Sequence, residues 1–204
     1  MTSATFTDLE KDAIVEIMNI GVGRAAASLS LMVGEEIQLA VPDVEILYGE
    51  AASAKLAASP RLVAVREEFS GLLKGAAALI FPQTKSLDLV RMVLDQELDL
   101  DEVTELEQEA LVEIGNIVLN GCLSSVADAL RGEVETTIPV LVQMDLSSIL
   151  SAGVSARDET ALLLLTIDFA IRSRDIQGHI VFLMDMDVAG NFKSLISAYV
   201  ADLS

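Results

Sequence analysis

EIMNIGVGRAAASLS, residues 16 to 30, decides how the chain is read. Gly21-Val-Gly23-Arg-Ala-Ala26 fits the glycine spacing of a dinucleotide-binding turn, where a strand runs into a phosphate-cradling loop. Glu16-x-x-Asn19, in the same stretch, puts two polar residues one helical turn apart. The first reading needs a loop and the second needs a helix.

An internal repeat separates them. At an offset of 97, Thr7 meets Thr104, Leu9 meets Leu106, Glu10 meets Glu107 and Ala13 meets Ala110. Val15-Glu16-Ile17 meets Val112-Glu113-Ile114, and Asn19-Ile20 meets Asn116-Ile117. Ser28 meets Ser125, and Pro42 meets Pro139. Gly21 and Gly23, however, meet Val118 and Asn120. A phosphate turn needs glycine for positive φ and close backbone approach. The two copies share Glu and Asn and not those glycines, so they share a helix and not a nucleotide turn.

Local signals agree. Thr7-x-x-Glu10 and Thr104-x-x-Glu107 fit capping boxes, which mark helix starts. Apolar residues follow at helical spacing: Leu9, Ala13, Ile17 and Ile20, then Leu106, Ala110, Ile114 and Ile117. Helices are expected at about 7–33 and 104–131. Gly21 and Gly23 each cost such a helix ~1 kcal/mol against Ala. Close approach of another protein would account for them.

Asp12, Glu16 and Asn19 stand at i, i+4 and i+7, within about 60° on one helix face. Glu109, Glu113 and Asn116 repeat the arrangement. Gly23 continues the first stripe and Asn120 the second. A single polar stripe is ordinarily a solvated face. Recurrence of Glu and Asn at one offset, behind an acidic residue in each copy, is improbable by chance, and Asn is a poor helix-interior residue.

The pattern (Asp/Ser)-x3-Glu-x2-Asn-x22-Pro resembles the signature of the CheC/CheX/FliY phosphatases of bacterial chemotaxis. Asp12, Glu16, Asn19 and Pro42 match it in full; Glu113, Asn116 and Pro139 match again, with Glu109 departing at the leading position. Two copies in one chain are similar to CheC. The resemblance implies an enzyme, a hydrolase that removes the aspartyl phosphate of a CheY-like response regulator in two-component signalling. Asn19 and Asn116 would then orient the attacking water, since a carboxamide both donates and accepts. Glu16 and Glu113 would dock a lysine of the regulator. Asp12, Glu109, Gly23 and Asn120 would serve partner binding. Pro42 and Pro139 are assigned no chemistry. This chain would bind no cofactor or metal itself, the magnesium being supplied by the regulator. CheD is a possible second partner by the same resemblance.

The composition bounds the alternatives. With 204 residues and 52% apolar residues, the chain can bury a substantial core. A net charge of −19 opposes nucleic acid and anionic membrane partners. The strongest apolar candidate, Ala161–Ile167, is short of the ~20 residues of a membrane span. The opening MTSATFTDLEKD lacks a signal-peptide layout, and one cysteine, Cys122, makes no disulfide framework, so a cytoplasmic location is expected.

Strand-like runs are expected at about 37–48, 61–69, 75–82, 140–146, 160–172 and 178–187, with helical runs at 84–95 and 189–202. Short helices are expected at 50–57 and 147–153. Each half, about 1–97 and 98–204, reads helix, strands, helix. The fold class expected is a single α/β (α+β) sandwich of two pseudo-two-fold repeats, with antiparallel strands and two long adjacent helices. His179 is expected on a strand, Cys122 in the core, and Asp185 and Asp187 alternating at a strand end. Two other functions compete: a non-catalytic adaptor for a response regulator or a CheD-like deamidase, and an acid–base hydrolase using Asp12 with Glu16. The last is disfavoured, because an exposed face offers no desolvation to split two carboxyl pKa values.

Overall fold

The computed structural model describes residues 5–48, 51, 62–94, 105–144, 160–171 and 174–203. Six elements make up the first half: α1 (Asp8–Val33), β1 (Ile37–Ala40), β2 (Val44–Tyr48), β3 (Leu62–Gly71), β4 (Gly75–Pro82) and α2 (Gln83–Leu94). The second half runs α3 (Glu105–Ala129), β5 (Val134–Thr136), β6 (Val140–Met144), β7 (Thr160–Ile171), β8 (Arg174–Asp185) and α4 (Met186–Leu203). Mixed helices and an antiparallel sheet give the α/β architecture that the sequence pattern predicts.

α1 starts where its capping box directs. The Thr7 hydroxyl accepts from Glu10 N at 3.3 Å, and Glu10 Oε2 accepts from Thr7 N at 2.7 Å. It ends at Gly34, whose φ of 76° is cheap only for glycine and whose N–H closes on Ser30 O. Thr104, the expected cap of α3, lies outside the described residues. So do the expected short helices, apart from Ala51.

The buried face of α1 is Ile14, Ile17, Met18, Gly21, Val22, Ala25 and Leu29. Leu9, Ile20 and Leu106, expected on the apolar stripe, are instead 60%, 45% and 50% exposed. They lie outside the buried face of their helices. By length and composition α1 and α3 could each cross a membrane, contrary to the expectation from apolar runs. A large share of both is packed inside the protein, as core helices are.

Among the described residues all seven strand pairings are antiparallel, in one eight-stranded sheet. The order is β1-β7-β8-β4-β3-β5, with β2 also on β7 and β6 also on β3. The halves are therefore interleaved. β1 and β2 of the first half pair with β7 of the second, and β5 and β6 pair back onto β3. Strand alternation divides the core. Ala77, Leu79 and Phe81 of β4 face the helices, while Ala76, Ala78 and Ile80 join Leu162, Leu164, Val181 and Leu183 on the opposite face.

Three expectations are corrected in detail. The run 37–48 is two strands, because Val41–Asp43 leave the sheet between them. The three residues of β5 carried no strand signal of their own; they are the counterpart of β1. Asp185 and Asp187 do not alternate on a strand: Asp185 Oδ1 accepts from Val188 N at 2.8 Å and caps α4, and Asp187 lies in its first turn. His179 is on β8 opposite Thr166 and Ile80. Cys122 is fully buried, and that burial, with the charge of Glu67, pushes its thiol up to about 12.

Candidate functional site

The two long helices lie side by side. Gly21 and Gly121 meet at their crossing: a Cβ on Gly21 would stand 2.6 Å from Gly121 O, and one on Gly121 would stand 2.8 Å from Gly21 O. The reason for Gly21 is thus the neighbouring helix of the same chain, and not another protein. Gly23 differs. It is exposed, and a Cβ there would meet nothing within 4 Å. Arg24 on α1 pairs with Asp128 on α3 at 2.8 Å across the solvent side of the crossing. Such an exposed pair contributes at most about 1 kcal/mol.

Asp12 and Glu16 on α1, and Glu109 and Glu113 on α3, are all exposed. Asn19 and Asn116 are half-buried at the foot of each stripe. The helices thus present two acidic ridges, each ending in a carboxamide. This is an open helix face, not a cleft. A cavity of about 270 Å³ adjoins the second ridge, lined by Arg66, Glu68, Lys74, Glu135 and Thr136 among others.

The two carboxamides are held in different ways. Asn19 Oδ1 accepts from Val41 N at 2.9 Å. Asn19 Nδ2 donates to Val41 O at 2.9 Å and to Val15 O at 3.0 Å. The backbone N–H of Val41 requires an acceptor, so the orientation of the amide is determined. Both Nδ2 donors are engaged, and Oδ1 keeps one lone pair.

Asn116 holds no such pairing with Ile138, the counterpart of Val41. Ile138 is 88% exposed, whereas Val41 is 1% exposed. In place of the backbone, Asn120 Nδ2 donates to Asn116 Oδ1 at 2.8 Å and to Asn116 O at 3.0 Å. Asn120 Oδ1 in turn accepts from the Thr136 hydroxyl at 3.0 Å. Asn116 Oδ1 again keeps one lone pair. Its Nδ2 makes no hydrogen bond among the described residues.

Beneath this second site lies a residue that sequence reading missed. Glu67 on β3 is 1% exposed, and neither carboxyl oxygen has a hydrogen-bond partner. Burial alone raises its pKa to about 7. The registers Val44↔Leu165 and Leu141↔Val65 make β3 and β7 equivalent, so Glu67 occupies the place that Ile167 fills in the other half. Only a comparison of the strands two by two could have found it.

Residues 9–46 match the CheC-like family. The CheY-P phosphatase CheC of Bacillus subtilis (strain 168) is 22% identical over 202 residues, 95% of each chain. FliY of Thermotoga maritima has the same fold, with a TM-score of 0.79, 19% identity, and coverage of 98% of this chain and 100% of that one. The CheX of a CheX-CheY-BeF3-Mg complex from Borrelia burgdorferi is more distant in fold, at a TM-score of 0.54 and 16% identity over 84% of this chain and 99% of that one. The Glu–Asn–Pro spacing carried twice agrees with these likenesses, all of which are to CheC-type chemotaxis proteins.

Proposed function

We propose that this chain hydrolyses the aspartyl phosphate of a CheY-like response regulator in the cytoplasm, with one site on α1 and one on α3. The observation that carries this reading is the twice-built arrangement of an exposed Glu one turn before a fixed Asn, whose Oδ1 retains a lone pair. The relatives' printed names add weight, one being a CheY-P phosphatase and another a CheX solved with CheY.

Hydrolysis of an aspartyl phosphate depends on an in-line water and on charge stabilisation. The remaining lone pair of Asn19 Oδ1, or of Asn116 Oδ1, accepts a proton of that water and turns its oxygen toward phosphorus. A carboxamide already fixed by Val41 or Asn120 does this with little further ordering cost. Glu16 and Glu113 meet a lysine beside the regulator's phosphate, and Asp12 and Glu109 extend the acidic ridge. Magnesium enters with the regulator. An open face suits a folded protein substrate better than a small ester.

Phosphate release from a purified phospho-regulator tests the reading. We expect acceleration by the wild type, partial activity in Asn19→Ala and in Asn116→Ala, and none in a folded double variant. A folded double variant working at the wild-type rate overturns it. Glu16→Ala with Glu113→Ala should weaken association, and added salt should weaken the wild-type complex. Tight binding of the regulator without any turnover would favour the adaptor function instead.

A further inference from the structure

The halves orient their carboxamides by different means, although Asn19 and Asn116 are equivalent in sequence. At the first site the backbone of Val41 makes two hydrogen bonds to the side chain. At the second site Ile138 is turned out to solvent and Thr137 is engaged with β3, its N–H donating to Glu68 O at 2.9 Å and its hydroxyl accepting from Glu68 N at 3.0 Å. Thr137 thus keeps to the sheet as Ala40 does opposite Asp168, and what differs is Ile138, which makes no hydrogen bond to Asn116. Two side chains stand at positions that the first half fills with Gly23 and Leu39: Asn120 and Thr136.

We propose that Thr136 and Asn120 are positioning residues for Asn116, replacing the backbone clamp of the first site. The sequence of donors is set from a fixed point. The backbone carbonyl of Asn116 can only accept, so the Asn120 atom beside it is Nδ2. The same Nδ2 then needs an acceptor in the Asn116 side chain, which fixes Oδ1 toward it. Asn120 Oδ1 accordingly faces Thr136, whose hydroxyl donates. Thr136 is held by its strand, β5 being paired to β3 through Thr136↔Phe69. The relay ties the side chain of a helix to the sheet, as Val41 ties Asn19 to the end of β1.

This inference deepens the phosphatase reading of the second site and rests on it. Two measurements keep their failures apart. The first is the side-chain amide NMR signal of Asn116 in the free protein, assigned by its loss in Asn116→Ala. Thr136→Val and Asn120→Ala should each shift or broaden that signal, and Thr136→Ser should restore it. An Asn116 signal unmoved by both changes overturns the relay, whatever the activity.

The second measurement is decay of phospho-regulator in an Asn19→Ala background, where the second site works alone. Thr136→Val should lower kcat roughly ten-fold with KM little changed, since a displaced catalytic group loses rate more than binding. Thr136→Ser should recover it. In an Asn116→Ala background the same changes should leave the first site's rate unaltered. An unchanged kcat beside a moved Asn116 signal overturns the positioning role. No activity in Asn19→Ala with the relay intact sinks the phosphatase reading of this site, while the NMR result still supports or overturns the relay.

Discussion

Asn19 pairs with Val41 much as one strand residue pairs with another, Oδ1 accepting from Val41 N and Nδ2 donating to Val41 O, both at 2.9 Å. This contact gives the 22-residue spacing to Pro42 a physical meaning. Both backbone groups of the residue before the proline are taken, and Pro42 brings no N–H of its own that would need a partner. Its ring also holds Val41 in the extended region that the pairing requires. The first carboxamide is thus a structural clamp as well as a candidate catalytic group.

Loss of the clamp should be measurable as stability. Asn19→Ala leaves the N–H and C=O of nearly inaccessible Val41 without these partners, at a cost of about 2–4 kcal/mol. Asn116→Ala removes one acceptor from Asn120 and should cost about 1 kcal/mol or less. Urea unfolding of the two variants checks the order. Equal losses would remove the clamp as the difference between the halves.

The two glycines of the opening stretch should respond in opposite directions. Gly21→Ala forces a Cβ to 2.6 Å from Gly121 O and must push α1 from α3, at a cost of about 2 kcal/mol or more. Gly23→Ala meets open space and should stabilise by ~0.5–1 kcal/mol through helix propensity. Thermal unfolding of both variants gives the comparison.

Glu67 should make the protein less stable as pH rises. Its folded pKa, raised to about 7 by burial, lies above the ordinary carboxyl value of 4.5. The folded state therefore holds a proton that the unfolded state releases, and stability falls between about pH 4.5 and 7 and is level above. Glu67→Gln, or Glu67→Ile in imitation of Ile167, should flatten that slope and add on the order of 2 kcal/mol at pH 8. Denaturant midpoints for wild type and variant across this range decide it.

Glu10 should act at the other end of the scale. Burial opposes its charge, but hydrogen bonds from Ser197, Thr7 and Lys193 overcome this and bring its pKa to about 2. With the folded pKa below the unfolded value, its contribution is present above pH 4.5 and is lost as pH falls from there toward 2. Glu10→Gln should reduce stability at pH 7 and narrow the gap to wild type near pH 2. A gap that stays constant with pH would assign the loss to packing alone.

The recurrence of Glu10 at Glu107 qualifies how a repeat is read. Both are buried, and Glu10 is kept by its cap and by Lys193 and Ser197 of α4, not by a substrate. Repetition at an offset of 97 marks residues under constraint, and the constraint is structural at Glu10 while it faces solvent at Glu16. Burial separates the two cases, and burial is invisible in a chain without its fold.

What the amino-acid sequence determined by itself is local or periodic. Capping residues placed the start of α1, helical spacing put Asp12, Glu16 and Asn19 on one face, and the offset of 97 disclosed a second stripe. These depend on neighbours within a turn or two, so the chemistry of nearby residues suffices. What only the tertiary structure decided lies between distant segments. Val41 reaches Asn19 but Ile138 does not reach Asn116, β1 and β5 each pair with a strand of the other half, and Glu67 stands where its counterpart is Ile167. Equivalent residues in two copies carry identical local propensities. Their hydrogen bonds differ because each depends on the path of a loop and on which strand pairs beside it, and both are set by packing across the whole sheet.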